Sequence, residues 1–506
     1  MRNLFFIFVA FAVFSCENRI IDENAWESDS KLYDGRSFRL KRNVVDTLSN
    51  GKDHVGYRFL HDDTLLMKWN VAEQYVTILK YPSMVVYKKF KLGAPVSFFA
   101  IDALWKENLL YVVGRSNEIA IFQPESGGYR EIALDTAMNR LNFRAFAQPS
   151  VPLFVEDSML YLSGNIVGHS NYFLDVQDRK AFFSGFLDVR YHMENGEIKT
   201  FGNYPISFQN DEMDFYRWFP SRQRLEGRSI YSFAHVDSLF AFDDRRDQKQ
   251  TVERKSVLHR RELIPLDKSR LMDYSYLRDY DFTNDRYTEL IADPYRDLIY
   301  SVFRPGVDPP EQQRLAGRDV AFTIMVYDAD LEFQKEVFFP PGEYDPRIHF
   351  VTPEGLCLQT VASERGATRV FDVFDFTREG RPMEVLPENL NLNRRMVPLA
   401  EYLRDSLGVA GTVDSVVVIS GFGCTGCLEN MILEAEAAGV DLSRYAYVAS
   451  HNAARIQTVA EFLSRHSRAY IDSVGQLGDY RAIGDFLTLV VLDGNRLVTV
   501  DDKFEF

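Results

Sequence analysis

Residues 109-LLYVVGRSNEIAIFQPESGGYREIAL-134 contain three short apolar segments separated by polar or glycine-rich breaks. Runs of about four to eight residues that are rich in β-branched and aromatic side chains, bounded by Gly, Pro, Asn or Asp, are typical of β-strands. Comparable runs upstream are 63-DTLLMKW-69, 75-YVTILKY-81 and 84-MVVYKKFKL-92. Helical periodicity is scarce between Ser37 and Thr377, so this part of the chain is predicted to be almost all β.

The first of these segments is echoed at intervals along the chain. The echoes are 159-MLYLSG-164, 229-SIYSFA-234, 298-LIYSVF-303 and 355-GLCLQT-360. Most are followed by a strand with aromatic residues: 181-AFFSGFLDVRY-191, 238-SLFAFD-243, 322-FTIMVYD-328 and 369-RVFDVFDF-376. Each echo is predicted to be a central strand of a four-stranded sheet that cannot bury its faces alone. Spacings of about 50 to 70 residues then predict a mainly β fold, a β-propeller of about six blades. We place it at residues 37–377. A pair of β-sandwiches is the alternative, since strand runs alone do not show whether a ring closes.

The composition excludes one class of partner and indicates more than one domain. The chain has 506 residues, which is too long for one ordinary core, so two domains are expected. Asp and Glu number 73 against 58 Lys and Arg, for a net charge of -15, and no basic stripe with interleaved aromatic residues occurs. Nucleic acid is therefore not expected as a partner.

The N-terminus carries an export pattern. Met1-Arg2-Asn3 is a short positive segment, and the apolar run from Leu4 to Phe14 has the length of a signal-peptide core, too short for a membrane span. The run ends in 13-VFSC-16, which resembles the lipobox of bacterial lipoproteins. The resemblance implies a signal peptide over residues 1–16, a lipid on Cys16 that attaches the protein to a membrane, and a tether over residues 17–36. An ordinary signal peptide that is cut nearby is the alternative.

A second motif lies near the C-terminus, in 413-VDSVVVISGFGCTGCLENMILEAEAAG-439. An apolar strand is followed by a glycine turn, by Cys424-Thr425-Gly426-Cys427 and by helical spacing. The unpaired N–H groups of a first helical turn favour a thiolate, so Cys424 is a candidate nucleophile and Cys427 can close a disulfide with it. A zinc half-site and a structural disulfide are the alternatives. No second pair of Cys or His with ligand spacing occurs, so we expect no metal.

The last hundred residues alternate between strand and helix patterns. The pattern predicts strands at 415–420 and 445–450, a helix at 453–466, and a hairpin of 486-FLTLVVLDG-494 with 496-RLVTVDD-502. This order, with Cys-x-x-Cys at the start of the first helix, resembles the thioredoxin fold over residues 412–506. The resemblance implies that Cys424 attacks, that Cys427 resolves, and that Thr425 and Gly426 tune the redox potential. It also implies that Leu487 and Thr488 lie in the strand that faces the cysteines. Leu487 stands where thioredoxin-like proteins carry a cis-proline, and Gly423 where they usually carry Trp.

Residues 378–411 are predicted to be a linker and a helix. The stretch 377-TREGRPMEVLPENLNLN-393 is rich in Pro, Asn and charge, as linkers are. The following 396-MVPLAEYLRDSLG-408 places Leu399, Leu403 and Leu407 on one helical stripe that Gly408 closes. This helix is expected to pack on the C-terminal domain.

The N-terminal pattern and the aromatic blades, with phrases such as 293-DPYRDLIYSVFR-304, resemble propeller-bearing lipoproteins of unknown function from Bacteroidota-type bacteria. The resemblance covers most of residues 17–380. It implies a lipid-anchored protein of the cell envelope, at the outer membrane on either its periplasmic or its surface side, and brings no known reaction.

The propeller region itself shows no catalytic pattern, and no cofactor is expected. Asp243-Asp244 and the histidines His169, His192, His235, His259 and His349 have neither metal spacing nor a nucleophile pattern. Arg304, Arg318, Asp319 and Arg347 could line a binding face, but we favour solvated loop charge. Cys357 lies in an apolar run and is expected to be a buried thiol.

Two functional hypotheses follow. In the first, the protein is a tethered thiol–disulfide oxidoreductase whose propeller selects a partner protein in the cell envelope. In the second, it is a non-catalytic recognition or scaffold lipoprotein whose propeller binds a protein or a glycan.

Overall fold

The computed structural model describes the chain from Leu32 to Asp501 with gaps. The described residues are 32–46, 55–60, 64–70, 75–91, 100–114, 118–123, 128–133, 143–146, 150–166, 176–209, 217–271, 273–308, 315–361, 368–383, 390–392, 398–410, 412–420, 430, 437, 445–450, 453–455, 457–472, 477, 480, 483, 487–493 and 496–501.

Six antiparallel sheets, blades 1 to 6, follow one another along the chain. Blade 1 consists of β3 (Val55–Leu60), β4 (Leu65–Asn70), β5 (Tyr75–Lys80) and β6 (Val85–Lys91). Blade 2 consists of β7 (Ala100–Lys106), β8 (Leu109–Gly114), β9 (Glu118–Gln123) and β10 (Gly128–Ala133). Blade 3 consists of β11 (Phe143–Phe146), β12 (Phe154–Glu156), β13 (Met159–Ile166), β14 (Phe186–His192) and β15 (Ile198–Asn203).

The other three blades have the same plan. Blade 4 consists of β16 (Ser221–Leu225), β17 (Arg228–Ser232), β18 (Ser238–Asp243) and β19 (Gln248–Glu253). Blade 5 consists of β20 (Arg286–Asp293), β21 (Leu298–Arg304), β22 (Phe322–Asp328) and β23 (Phe333–Phe339). Blade 6 consists of β24 (Tyr344–Thr352), β25 (Gly355–Thr360) and β26 (Arg369–Phe374).

The N-terminal strands complete the last two blades. Strand β2 (Arg39–Asp46) pairs antiparallel with β26 and becomes the fourth strand of blade 6. Strand β1 (Leu32–Asp34) adds to blade 5 by pairing parallel with β23. Because β2 precedes blade 1 in the chain and lies in blade 6, the two ends of the repeat are joined by strand pairing.

Six apolar clusters fill the spaces between neighbouring blades, including the space between blades 6 and 1. Side chains alternate between the two faces of each blade, as the period of a strand requires. In β21, Ile299 and Phe303 pack toward blade 4, whereas Tyr300 and Val302 pack toward blade 6. Each fully buried side chain of this size contributes about 1.5 to 3 kcal/mol. The sheets therefore form a closed ring, a six-bladed β-propeller.

The repeat in the sequence marks the second strand of a blade. The segment at 109–114 and its four echoes correspond to β8, β13, β17, β21 and β25, and the aromatic segments that follow contain β14, β18, β22 and β26. The prediction of about six blades is confirmed, and the sandwich alternative is wrong. The prediction of a strand over 181–191 is wrong at its start, because helix α1 (Val176–Phe183) occupies those residues and buries Phe182 and Phe183 between blades 3 and 4.

The C-terminal part contains one mixed five-stranded sheet of β27 (Ser415–Ile419), β28 (Ala446–Ser450), β29 (Ala469–Asp472), β30 (Leu487–Asp493) and β31 (Arg496–Asp501). The strand order is β29-β28-β27-β30-β31, with the first three strands parallel and the last two antiparallel. The strands predicted at 415–420 and 445–450 and the closing hairpin are confirmed. Strand β29 was not predicted, because four residues with only a weak apolar pattern give little signal.

Helices cover both faces of this sheet. The predicted helical stripe forms α3 (Leu399–Glu401) and a π-turn (Tyr402–Ser406), and it packs Leu399 and Leu403 on one face. Gly408 has φ of +72°, the left-handed conformation that ends a helix. Helix α4 (Gln457–Ser464) packs on the opposite face through Val459 and Phe462.

The remaining helices are α2 (Tyr274–Thr283), which precedes blade 5, and the 3₁₀ turns Gly35–Phe38, Ile206–Gln209, Lys268–Arg270, Gly317–Asp319 and Ala453–Arg455. None of the helices in the described ranges is long and apolar enough to span a bilayer.

Candidate functional site

The propeller encloses one cavity to which all six blades contribute. Its volume is about 660 Å³, and its walls come from the innermost strands β3, β7, β12, β16, β20 and β24 together with the turns that follow them. Concave sites of this size that combine apolar walls with a few polar groups are where proteins bind small ligands or ligand ends. The cavity is therefore the first candidate site in the described part of the chain.

Side chains from different blades meet in this cavity. The Phe59 ring of blade 1 lies 6.0 Å from the Tyr295 ring of blade 5. Arg58 Nη1 donates to the carbonyl of Leu153 at 3.1 Å, and Lys106 Nζ donates to the carbonyl of Val155 at 2.9 Å. These contacts hold the wall in place without a ligand, so the cavity is largely pre-formed.

Hairpin turns place two charged residues and one neutral polar residue at the rim. Glu107 and Asn108 have φ of 50° and 60° in the turn between β7 and β8, and Glu226 has φ of 51° in the turn between β16 and β17. Two-residue turns with positive φ match the twist of the flanking strands. All three side chains are exposed and line the cavity.

A buried arginine supports the wall between blades 3 and 4. Arg224 Nη2 lies 2.9 Å from Glu156 Oε2, and its guanidinium lies 3.6 Å from the centre of the Tyr161 ring. Burial by itself would lower the pKa of Arg224, but the hydrogen bond and charge of Glu156, together with Tyr161 and Asp244, raise it overall. Arg224 therefore positions Glu156 at the cavity rather than offering a free charge.

A second group of charges lies where the inner strands of blades 4 to 6 begin. We call Arg217, Arg286, Arg304 and Arg347 the arginine cluster. Arg217 Nη2 lies 2.5 Å and Arg286 Nη1 3.0 Å from Asp281 Oδ2, and Arg304 Nη2 donates to the Asp281 carbonyl at 2.9 Å. Burial would raise the pKa of Asp281, but the guanidiniums of Arg286, Arg217 and Arg304 lower it to about 2.

The fourth arginine joins this group to the cavity. Arg347 lines the cavity and donates from Nε to both oxygens of Asp345, at 2.9 and 3.1 Å. Burial and the neighbouring Asp345 carboxylate raise the pKa of Glu289 to about 8. Glu289 is therefore mostly neutral at pH 7, and the charge of the group is dominated by arginine.

Irregular strand pairing accompanies these charges. The pairing of β20 with β21 shifts between Tyr287 and Glu289, and that of β24 with β25 shifts between Asp345 and His349. A β-bulge re-aims the side chains beside it, and bulges are common next to functional sites. Both shifts lie at the beginning of an inner strand, beside the arginine cluster.

Most of the residues predicted from the sequence as site residues lie outside the described residues. These are Cys16, Cys424, Thr425, Gly426 and Cys427, so their roles stay predictions. Leu487 and Thr488 are buried at the start of β30, where they pair with Ile419 and Val418 of β27. The segment that carries the cysteines follows β27 directly in the sequence.

The histidines of the propeller are dispersed. His235 Nδ1 lies 3.1 Å from the Asp285 carbonyl, and burial lowers its pKa to about 4. His349 Nδ1 lies 2.8 Å from the Pro346 carbonyl, and burial lowers its pKa as well. His169 lies outside the described residues. Within the described ranges, no three His, Cys, Asp or Glu side chains are grouped so that they could hold a metal ion.

The interpretation of loop charges as solvated is wrong for two residues. Arg304 is 4 % exposed and Asp319 is 1 % exposed. Asp319 Oδ2 accepts from the Ala316 N–H at 2.9 Å, so it is used in a turn. Asp244, of the pair Asp243-Asp244, is also buried and accepts from Arg190 Nη1 at 2.7 Å. Cys357 is completely buried in β25, as predicted.

Most of the cavity residues were missed by sequence reasoning; the exceptions are Arg347 and His349, which the sequence analysis considered. Inner strands such as β12 and β16 are short and carry polar residues, so they lack the apolar pattern of the second strands. A signal was available, because each echo follows an inner strand by a short turn. Counting back from the echoes would have located Trp105, Glu156 and Arg224.

No family model and no curated protein matches the sequence. Solved structures match in fold. A member of the DUF4221 family from Bacteroides vulgatus has a TM-score of 0.53 and 17 % identity, over 67 % of this chain and 99 % of that one. BamB from Moraxella catarrhalis has a TM-score of 0.30 and 10 % identity, over 63 % and 84 % of the two chains. The calcium-binding protein regucalcin from Agrobacterium tumefaciens has a TM-score of 0.33 and 10 % identity, over 73 % of this chain and 97 % of that one.

The structural match to the DUF4221 protein from Bacteroides vulgatus supports the propeller fold of this chain. At such an identity the likeness concerns the fold, and function has to be argued from the site. The TM-scores of the other two structures are too low for any conclusion about this chain.

Proposed function

We propose that the protein is a recognition or scaffold protein whose propeller binds a protein or a glycan through its central cavity. The observation that carries this proposal is the convergence of all six inner strands on one cavity of about 660 Å³. Cavities of about 300 to 1,000 Å³ are typical of ligand sites. Aromatic walls with hydrogen-bonding groups at the rim can accept either a sugar or the side chains of a peptide.

The contacts that hold the cavity wall in place support ligand binding. Arg58 of blade 1, Lys106 of blade 2 and Arg224 of blade 4 all bond to residues 153–156, which belong to blade 3. A pre-formed site loses little conformational entropy when a ligand binds. This is the property that a recognition module needs.

An array experiment tests the proposal. The full mature chain, labelled at a surface lysine, is applied to arrays of glycans and of peptides. We expect a ligand class that is retained by native protein and lost after heat denaturation. Absence of any saturable binding on both arrays contradicts the proposal.

The second candidate function is thiol–disulfide exchange by a thioredoxin-like C-terminal domain. The strand order of the C-terminal sheet supports it. Strand β27 lies between the parallel β28 and the antiparallel β30, and β30 and β31 form the closing hairpin. Leu487 pairs with Ile419, so the start of β30 lies at the edge where the chain leaves β27 toward Cys424. Cys424 would attack a partner disulfide, and Cys427 would resolve the mixed disulfide.

We also propose that the protein is anchored to the cell envelope by a lipid on Cys16. The support is the signal-like run from Leu4 to Phe14 followed by 13-VFSC-16. Mass spectrometry of the N-terminal peptide after detergent extraction tests this. A Cys16→Ala variant is expected to leave the membrane fraction, and an unmodified Cys16 in the wild-type protein contradicts the proposal.

A further inference from the structure

We propose that the arginine cluster binds an oxyanion, the carboxylate, sulfate or phosphate group of the ligand that the propeller recognises. The inference rests on the proposed function, because it names the chemical class of that ligand. Arginine is the residue best suited to such groups, since its planar guanidinium offers parallel donors that match two oxygens.

The charge balance of the group is positive. Four guanidiniums face the carboxyl groups of Asp281, Asp345 and Glu289. Glu289 is mostly protonated at pH 7, so the ionised carboxylates that face the four guanidiniums in these contacts are those of Asp281 and Asp345. Four cations this close repel one another, and an added anion relieves that repulsion.

Buried donors within the group have no acceptor. Among the described residues, neither Arg304 Nε nor Arg286 Nε has a hydrogen-bond partner, although both atoms are buried. Arg304 is 4 % exposed, and burial with the charge of Arg286 lowers its pKa well below the usual range for arginine. A buried donor without an acceptor is unfavourable, because its lost hydration is not replaced by a hydrogen bond. An oxyanion is a group that supplies such acceptors.

The cluster is also held in place and connected to the cavity. The Arg304 guanidinium lies 4.2 Å and that of Arg286 5.7 Å from the centre of the Phe282 ring, which fixes their planes. Arg217 and Arg347 have side chains that are 53 % and 52 % exposed, so an anion can reach them from solvent. Because Arg347 also lines the central cavity, one ligand can occupy both.

The experiment is a thermal-shift and calorimetric titration of the full mature chain. The probes are sodium sulfate, sodium phosphate and sodium glucuronate, each compared with sodium chloride at the same ionic strength. Sulfate and phosphate test a bare oxyanion, and glucuronate tests the carboxylate of an acidic sugar. We expect at least one probe to raise the melting temperature in a saturable way that chloride does not reproduce.

A matched pair of variants assigns the site. Arg217→Gln removes a half-exposed member of the cluster that is paired with Asp281. Arg270→Gln is the control, because Arg270 is 49 % exposed and also pairs with a carboxylate, that of the exposed Asp273, outside the cluster. The dissociation constant is expected to rise at least about tenfold in Arg217→Gln and in Arg347→Gln, which each lose a charged donor. It should stay within about twofold in Arg270→Gln.

The inference is overturned if no probe raises the melting temperature more than chloride does, because the cluster is then a structural ion network. It is also overturned if Arg270→Gln loses as much affinity for the probe as Arg217→Gln. Its failure is separable from that of the proposed function. An array ligand that is neutral refutes the oxyanion site and leaves cavity recognition standing. If an oxyanion binds to the cluster but neither array yields a ligand, the oxyanion site stands and the proposed function fails.

Discussion

Arg222 Nη1 lies 3.0 Å from Asp188 Oδ2, and both side chains are completely buried between blades 3 and 4. The Tyr231 hydroxyl donates to the same Asp188 oxygen at 2.9 Å, and Arg222 Nη2 donates to the carbonyl of Pro152. A buried pair with so many hydrogen bonds fixes how two blades meet. Removing one partner leaves the other as an uncompensated buried charge.

We therefore expect Arg222→Met to destabilise the propeller by about 3 to 5 kcal/mol. Arg270→Met is the control, because the exposed pair of Arg270 with Asp273 should contribute less than about 1 kcal/mol. Thermal unfolding monitored by near-ultraviolet circular dichroism measures both. Equal melting temperatures for the two variants would show that the buried pair does not hold the blades together.

The second prediction concerns closure of the ring by β2. Val44 is completely buried in the cluster between blades 6 and 1, whereas its neighbour Val45 is 40 % exposed. Val44→Asp places an unpaired carboxylate in that cluster and is expected to cost about 3 kcal/mol or more. Val45→Asp makes the same chemical change one residue further along and should cost less than about 1 kcal/mol. Limited proteolysis and the melting temperature distinguish them, and similar behaviour of both would contradict closure by this strand.

The third prediction is a pH dependence of stability that arises from Glu289. Its pKa is raised from 4.5 to about 8 in the folded protein by burial and by Asp345, against the opposing charges of Arg347, Arg286 and Arg217. Between these values the folded state binds more protons than the unfolded state, so stability falls as the pH rises from about 4.5 to 8. The slope for one such group is at most about 1.4 kcal/mol per pH unit.

A Glu289→Gln variant tests this dependence, since it keeps the shape of the side chain and removes the titration. The variant should be more stable than the wild-type protein at pH 8 and should lose part of the slope. Melting temperatures between pH 5 and pH 9 provide the measurement. Parallel curves for the two proteins would mean that Glu289 is already ionised at neutral pH.

The fourth prediction concerns Cys424 and Cys427. Under thiol–disulfide exchange, Cys427→Ser accumulates mixed disulfides with partner proteins, because the resolving thiol is gone. The double variant with Cys424→Ser should accumulate none. The reduction potential of the wild-type pair should lie between roughly -120 and -270 mV, the span of exchange proteins. A value below about -300 mV indicates a structural disulfide and leaves recognition as the only role.

The sequence predicted the blades because their second and third strands are buried on both faces. Strands such as β21 and β22 are runs of apolar residues, which give a signal that repeats. The closing strand β2 gave no such repeating signal, because it contains Arg39, Lys41 and Arg42. Its partner strand β26 also lies more than three hundred residues away in the sequence. Pairings of that separation are set by tertiary packing, not by local pattern.

The charged site was harder to predict for a different reason. Arg304 follows an apolar strand and looks like a solvated strand end, yet it is buried against Phe282 and the Asp281 carbonyl. Its surroundings come from α2, which lies some twenty residues earlier in the chain. Only the fold brings Arg217, Arg286 and Arg347 beside it, so no spacing rule reveals the cluster.

Calorimetric titration of the array-selected ligand into a cavity-filling variant tests recognition through the central cavity most directly. Ile348 lines the cavity, and Ile348→Trp should fill it at a cost in stability of about 1 to 3 kcal/mol. Val86→Trp, on the exposed strand β6, is the control. We predict that Ile348→Trp raises the dissociation constant of the ligand at least about a hundredfold, which corresponds to about 2.7 kcal/mol. Val86→Trp should bind the ligand like the wild-type protein. Unchanged affinity in a folded Ile348→Trp variant would place recognition outside the cavity and contradict the account.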